Sequence, residues 1–238
     1  MTAAEKRPPV ACLIGWPAAH SRSPLIHHYW LRTLGIGGGY TIEAVPPEGL
    51  ADFVIRLKLR GFVGANITTP HKERALALSS PDARAQAVGA GGSSRAVVFG
   101  LLERGIARIH LANRTFARAQ AMADQFGEKV RPIAWSEIGD VLPKAGLLVN
   151  TTSLGMYRQP ALKIDVTRLP SQAVVSDLVY VPLETPLLAA AKARNLRIAD
   201  GLGMLLHQAV RGFELWFGKR PEVTAELRRL VEADLAGA

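Results

Sequence analysis

The chain has 238 residues, 48% of them hydrophobic and 21% charged, with 29 Lys and Arg against 20 Asp and Glu, a formal charge of +9. That describes a globular chain with ample core for one large domain or two modest ones. A single cysteine, Cys12, excludes an internal disulfide and a thiolate metal cluster.

The basic residues are dispersed, as at Arg56, Lys58 and Arg60 or at Arg114 and Arg118, without a long run or an aromatic-interleaved stripe. A nucleic-acid interface is therefore the weakest reading, and a basic surface that attracts anionic metabolites the better one. Lys6 and Arg7 before residues 10–14 faintly resemble a secretion signal, but the apolar run is too short and prolines interrupt its flanks. Nothing approaches a membrane span. A reducing cytoplasm is the expected location.

Residues 10–14 form a short apolar run, a buried strand. After the loop 18–23, Pro24 suits the first turn of a helix running to about Leu34, with Ser23 as its N-cap. Residues 40–45 are strand-like, and Pro46-Pro47 opens a helix to about Leu59. Residues 62–67 are a third strand, and Pro70-His71-Lys72 starts a helix to about Leu78. This alternation predicts a parallel sheet with helices on its faces, an α/β domain preceding everything that follows.

Gly89-Ala90-Gly91-Gly92-Ser93-Ser94 then leads into a helix-like run, 96–104, and a β-rich run ends in Asn113-Arg114-Thr115. Strand, glycine turn, helix and second strand make the first unit of a dinucleotide-binding fold. The turn lets backbone N–H groups approach a pyrophosphate at the N-terminus of the new helix. Ser94 stands where the third glycine of the usual pattern would be, so the match is to a relative of that pattern. An NAD site usually offers a carboxylate to the ribose at the end of the second strand. Arg114 stands there instead, and its guanidinium can fork onto a 2′-phosphate, which argues for NADP. The expected continuation is helix 116–126, strand 130–133, a short helix near Trp135, strands 147–150 and 173–177, helix 185–194, strand 197–198, helix 204–217 and an amphipathic helix opened by Pro221.

One junction is anomalous. A first dinucleotide-fold strand needs about five apolar residues before its glycines, yet residues 79–87 are polar or small and only Val88 follows. Either that strand is degraded or a segment between Leu78 and Val88 is missing. The second account is preferred, and a Cα–Cα gap well beyond about 3.8 Å near 85–88 would show it.

Ligands of parallel α/β sheets sit beyond the C-terminal strand ends. Ser21 and Ser23 lie in the loop after the first strand, where paired hydroxyls can donate to a carboxylate. Asn66, Thr68 and Lys72 follow the third strand. Lys72 falls in a first helical turn, where the dipole disfavours a cation and partial desolvation would suit a proton-exchanging group. Asn150, Thr151, Thr152, Ser153 and Met156 end a later strand; Tyr180 follows the next one; Gly201, Met204 and Gln208 follow the last. The six histidines form no metal pattern, so no metal is expected.

Together, His20-Ser21-Arg22-Ser23-Pro24, Asn66-Ile67-Thr68-Thr69-Pro70-His71-Lys72, Gly89-Ala90-Gly91-Gly92, Asn113-Arg114-Thr115, Asn150 to Met156 and Asp200 to Ala209 closely resemble the shikimate dehydrogenase family, in its order and over nearly the whole chain. The resemblance implies reversible, NADP-dependent reduction of 3-dehydroshikimate to shikimate on the route to aromatic amino acids. It implies an α/β fold of two domains around a cleft: a substrate domain at 1–86 plus about 205–238, and a Rossmann NADP domain at 87–204. Ser21 and Ser23 would hold the substrate carboxylate, with Asn66, Thr68, Tyr180 and Gln208 as further substrate contacts. Lys72 would be the catalytic lysine. Gly89, Ala90, Gly91, Gly92, Ser93, Asn113, Arg114 and Thr115 would bind the adenosine end of NADP. Asn150, Thr151, Thr152, Ser153, Met156, Gly201 and Met204 would lie toward the nicotinamide. The implied partner is the small-molecule substrate, with a homodimer the one assembly in prospect and neither nucleic acid nor membrane.

The departure falls at the anomalous junction. Between the lysine helix and the glycine turn the family has a G-A-x-N-T segment and an N-T-D-G segment whose Asp pairs with the catalytic lysine; neither occurs here. A quinate/shikimate or aminoshikimate variant is the alternative within the class. A non-catalytic NADP- or cyclitol-acid-binding paralogue is the alternative if the segment is truly deleted.

Overall fold

The computed structural model describes residues 7–80 and 92–237. The chain divides into two compact units, Met1–Asp82 with Leu205–Ala238, and Ala83–Met204. The anomalous junction and the glycines at 89–91 lie outside the described residues.

The first unit is built on strand β1 (Val10–Gly15), which pairs in parallel with β2 (Gly39–Ala44) on one side and β3 (Phe62–Ile67) on the other. β1 is apolar at nearly every position because both of its faces are covered, as parallel strands require. Its alternation sorts the core. Cys12 and Ile14 meet Val45, Leu50 and Phe53, joined by Phe62, Ile67 and Ala75. Ala11 and Leu13 face the other way, against Tyr40, Trp216 and Phe217. Burial in this core pushes the Cys12 thiol up to about 12, with the Glu43 carboxylate adding to the effect, so the thiol is inert as expected.

Helix α1 (Ser23–Thr33) crosses the β2 side. Ser23 is its first helical residue rather than its cap; Arg22 is the cap and makes no capping side-chain bond. Helix α2 (Leu50–Ile55) follows a 3₁₀ turn at Pro47–Gly49 and stops well before Leu59, because Arg56, Lys58 and Arg60 carry a polar turn instead. Helix α3 (Lys72–Ala77) follows β3.

In the second unit, β4 (Ile109–Ala112) pairs in parallel with β5 (Val130–Ile133), and β6 (Leu147–Asn150), β7 (Val174–Asp177) and β8 (Arg197–Ala199) form a parallel sheet in that order. Among the described residues the two sheets share no strand. Helices α4 (Gly92–Glu103) and α5 (Phe116–Phe126) cover the first sheet through Val98, Leu102, Met122, Ala123 and Phe126. After a single turn of helix, α6 (Ile138–Val141), helix α7 (Pro186–Ala193) covers the second sheet with Leu187, Leu188 and Ala191. Thr185 caps α7, its hydroxyl accepting from the Leu188 N–H.

Helix α8 (Gly201–Phe217) starts three residues before the expected Met204, because the Asp200 carboxylate accepts the N–H groups of Leu202 and Gly203 and so caps it. The terminal helix α9 (Ala225–Ala236) starts after Thr224, whose hydroxyl accepts the Leu227 N–H, and not at Pro221. From Leu205 onward these helices return to the first unit. Trp216 lies against Gly64 so closely that any Cβ there would overlap its indole. Tyr29 bonds Thr224 and Glu226, Trp30 donates to the Glu222 carbonyl at 2.9 Å, and Arg22 pairs with Asp234 at 2.5 Å.

At the centre of this packing His27 is fully buried, stacked on Tyr40 with ring centroids 4.0 Å apart and flanked by Trp30, Phe213 and Trp216. Among the described residues neither ring nitrogen has a hydrogen-bond partner. Desolvation, aided by the neighbouring His28, lowers its pKa from 6.5 to about 3, so it is neutral in the folded protein. The unfolded chain binds this proton more readily than the native one, so the contribution to stability is complete above pH 6.5 and is lost as pH falls toward 3. Unfolding free energies from urea titrations across that window are expected to fall with a slope of up to about 1.4 kcal/mol per pH unit, and His27→Leu to flatten it.

Candidate active site

Parallel pairing brings the ends of β1 and β3 to one edge of the first unit, with Ile14 opposite Ile67. The loops leaving that edge are joined backbone to backbone: Thr68 N–H donates to the Ile14 carbonyl at 2.9 Å, and Trp16 N–H to the Thr69 carbonyl at 3.1 Å. Gly15 permits this, since a Cβ there would strike the Thr68 methyl. Ser21 and Ser23 sit on the first loop, Thr68 and Lys72 on the second.

Ser21 and Ser23 form a closed pair. Their hydroxyls are 3.2 Å apart, and Ser23 N–H donates to the Ser21 oxygen, also at 3.2 Å. Ser23 is 6% exposed, and its hydroxyl lies close enough to the Tyr40 phenol to favour the ionised form. Asn66 donates from Nδ2 to the same phenol at 2.8 Å. Ser21, Ser23 and Asn66 are thus brought together. Burial drives the Tyr40 pKa well above the ordinary tyrosine range, while the bonds to Asn66 and Ser23 oppose that rise.

Lys72 is the first residue of α3 and is exposed, not partly desolvated as expected. At six residues α3 is also shorter than the helix to Leu78 that the sequence suggested, which weakens any dipole argument. Among the described residues no hydrogen bond or ion pair engages Lys72. Its neighbour His71 is buried and its Nε2 lies 2.8 Å from the Val45 carbonyl, which fixes the start of α3 against the end of β2. Gln208 is exposed on α8, its amide donating to the Leu205 carbonyl at 3.2 Å.

The second unit presents its groups at strand ends too. After β4, the Asn113 carboxamide accepts the Thr115 N–H at 2.9 Å, a tight turn that leaves Arg114 exposed. Gly92 opens α4 with φ +52°, a left-handed conformation suited to glycine, and Ser93 follows; the first turn of this helix holds no acidic residue. Gly201 packs against the carbonyls of Leu178 and Val179 with no room for a Cβ. Thr151, Thr152, Ser153, Met156 and Met204 are exposed or half-buried, as is Tyr180 two residues beyond the end of β7.

Asn150 differs from the expectation of a cofactor-lining group. It is buried and its amide is committed inward, donating to Asp177 at 2.9 Å and to the Leu154 carbonyl at 3.0 Å, while its oxygen accepts from the Thr152 N–H and hydroxyl. Asp177, 1% exposed, also accepts from Val179 N–H and the Thr185 hydroxyl. A buried carboxylate needs such donors, and Asn150 therefore shapes the loop that carries Thr151 to Met156. Sequence reading missed Tyr40, His71 and Thr185. A tyrosine within an apolar strand and a threonine before a proline-started helix were the available signals.

A parallel α/β unit whose loops gather hydroxyls and an amine, and a second whose strand ends in Asn-Arg-Thr beside a glycine-started helix, define a nucleotide-linked α/β dehydrogenase architecture. Comparisons with known proteins give the particular family. Residues 13–91 match the shikimate dehydrogenase substrate binding domain, residues 73–184 the shikimate / quinate 5-dehydrogenase family, and residues 201–230 the shikimate 5'-dehydrogenase C-terminal domain. A shikimate dehydrogenase (NADP(+)) of Nitrobacter hamburgensis is 63% identical over 278 residues, covering 99% of this chain and 98% of that one. One from Rhodopseudomonas palustris is 65% identical, covering 98% of this chain and 99% of that one. The chain belongs to the shikimate dehydrogenase family. Among solved structures, a Thermus thermophilus shikimate 5-dehydrogenase in complex with NADP(H) and shikimate is similar at a TM-score of 0.79 and 31% identity over 96% of this chain and 99% of that one. A Corynebacterium glutamicum quinate dehydrogenase in complex with NAD is similar at 0.84 and 28%, over 95% and 99%. Both ends of the Nitrobacter alignment are covered, yet it runs over 278 positions against 238 residues here, so the difference in length is internal.

Removing the Asn150 amide leaves a buried carboxylate short of a donor. Asn150→Ala is expected to lower unfolding free energy by about 2 kcal/mol, measured by denaturant titration.

Proposed function

We propose that this protein is an NADP-dependent shikimate dehydrogenase that interconverts shikimate and 3-dehydroshikimate on the route to aromatic amino acids. The observation that carries this is the Ser21–Ser23 hydroxyl pair on a loop bonded to the one bearing Thr68 and Lys72. Ser21 and Ser23 donate to the substrate carboxylate. Asn66, Thr68, Tyr180 and Gln208 supply further polar contacts. Lys72 exchanges a proton with the C3 oxygen; it is exposed on a short helix, and among the described residues no other bond holds its amine.

The residues at the adenosine end fit a phosphorylated dinucleotide. Arg114 is held outward by the Asn113 turn, and the first turn of α4 offers N–H groups without a competing carboxylate. Gly89, Ala90 and Gly91 belong to this reading by sequence, with Gly92, Ser93 and Thr115. Thr151, Thr152, Ser153, Met156, Gly201 and Met204 line the nicotinamide end. When bound, NADP supplies the hydride acceptor or donor. The domain assignment follows, with the substrate domain at 1–86 plus about 205–238 and the NADP domain at 87–204. A cytoplasmic location and a homodimer complete the proposal; a cysteine count of one, with no disulfide framework, supports the first.

A second reading is favoured by the internal length difference: a protein that binds NADP and the acid without turnover, because the family's aspartate partner for the lysine is missing. NADP reduction with shikimate decides between them, and an intact mass above that of 238 residues would explain the difference as an unread segment. In an active protein Lys72→Ala is expected to lower kcat by about a hundredfold or more with NADP affinity unchanged. Arg114→Ala is expected to raise the KM for NADP by about tenfold or more and leave that for NAD unaltered, narrowing the preference measured in parallel assays.

A further inference from the structure

Between the two serines of the proposed acid site stands Arg22, a residue the reading above gives no task. The hydroxyls of Ser21 and Ser23 meet at 3.2 Å, while the side chain between them runs to the terminal helix α9, where its Nε lies 2.5 Å from Oδ2 of Asp234. Its Nη1 donates to the His20 carbonyl at 2.9 Å, so the guanidinium ties the serine loop both to itself and to α9. The Arg22 side chain is 18% exposed, and among the described residues its Nε is buried without an aligned hydrogen-bond acceptor. The Asp234 carboxylate therefore holds it by charge. A guanidinium cannot shed its proton to relieve burial. Removing the partner of a buried cation is costly because the charge stays behind uncompensated. An Arg22 left unpaired relieves that cost by turning out to water, and the serines on either side of it in the chain turn with it.

We propose that Asp234 is a positioning residue: it holds Arg22 in place and thereby keeps the Ser21–Ser23 pair set for the carboxylate of the acid substrate. This rests on the proposal that these serines hold that carboxylate. Helix α9 does not depend on the ion pair for its own place. Tyr29 bonds Thr224 and Glu226, Trp30 bonds the Glu222 carbonyl, and Leu227 and Val231 are fully buried. Asp234→Asn keeps the shape of the side chain and removes its charge, so α9 stays docked.

The test is calorimetric binding of shikimate and of NADP⁺ to wild type, Asp234→Asn, Asp234→Glu, Arg22→Gln and the double variant Arg22→Gln with Asp234→Asn. Asp234→Asn is expected to weaken shikimate binding by about threefold to tenfold and to leave NADP⁺ unchanged, the partial exposure of the carboxylate keeping the loss below that of a fully buried pair. Asp234→Glu keeps the charge and is expected to stay within about twofold of wild type. In the Arg22→Gln background no cation is left to move, and Asp234→Asn is expected to add less than about twofold. A carboxylate that served α9 alone would cause the same loss in both backgrounds. Unchanged or tighter shikimate binding by Asp234→Asn, an equal loss in the two backgrounds, or a loss shared by Asp234→Glu overturns the assignment of Asp234. Wild-type protein that fails to bind shikimate overturns the substrate reading itself and this proposal with it, and that result is visible without any variant.

Discussion

Because β1 is the middle strand of a parallel sheet, its end and that of β3 reach the same edge, and their loops must share the backbone donors and acceptors found there. The two bonds from Thr68 to Ile14 and from Trp16 to Thr69 are the outcome. They cost the loops their freedom but use backbone groups alone, so that neither bond consumes a side chain of the Ser21–Ser23 or Thr68–Lys72 segment. Antiparallel strands would have sent these loops to opposite edges. The convergence of those two loops depends on that one topological fact.

The second unit solves a related problem differently. β6 and β7 are short and end in polar residues, Asn150 and Asp177, that point into the protein. Buried as a mutually bonded pair with Thr185, they satisfy one another and anchor two loops and a helix start at once. The loop that follows, Thr151 to Met156, is held at its start by the bonds of Thr152 to Asn150.

The sequence made most of this legible where the signals were physical and local. β1 was readable as an unbroken apolar run, β3 by its aromatic and β-branched residues, and α5 by its 3.6-residue period. The ends of helices were less legible. Thr224 and Asp200 each begin a helix by capping, but Pro221 and Met204 were the louder residues nearby. Site residues fell into two kinds. Ser21 and Lys72 stood out because no structural duty explained them. Tyr40 did not, since an aromatic residue in a strand reads as core; only the structure shows that its oxygen lies between Asn66 and Ser23. Asn150 misled in the opposite sense, a polar residue at a strand end that proves to be internal scaffolding.

The indole of Trp216 pressed on Gly64 has a bearing on how this polypeptide is made. The cover for one side of the β1 sheet is encoded after residue 205, more than a hundred positions downstream of the strands it shields. A ribosome releases the strands long before Trp216 and Phe217, so the emerging sheet waits without that part of its cover. The intervening unit, whose segments are contiguous, can finish first. Order of synthesis and order of completion are thereby reversed, with the earliest residues among the last to be secured.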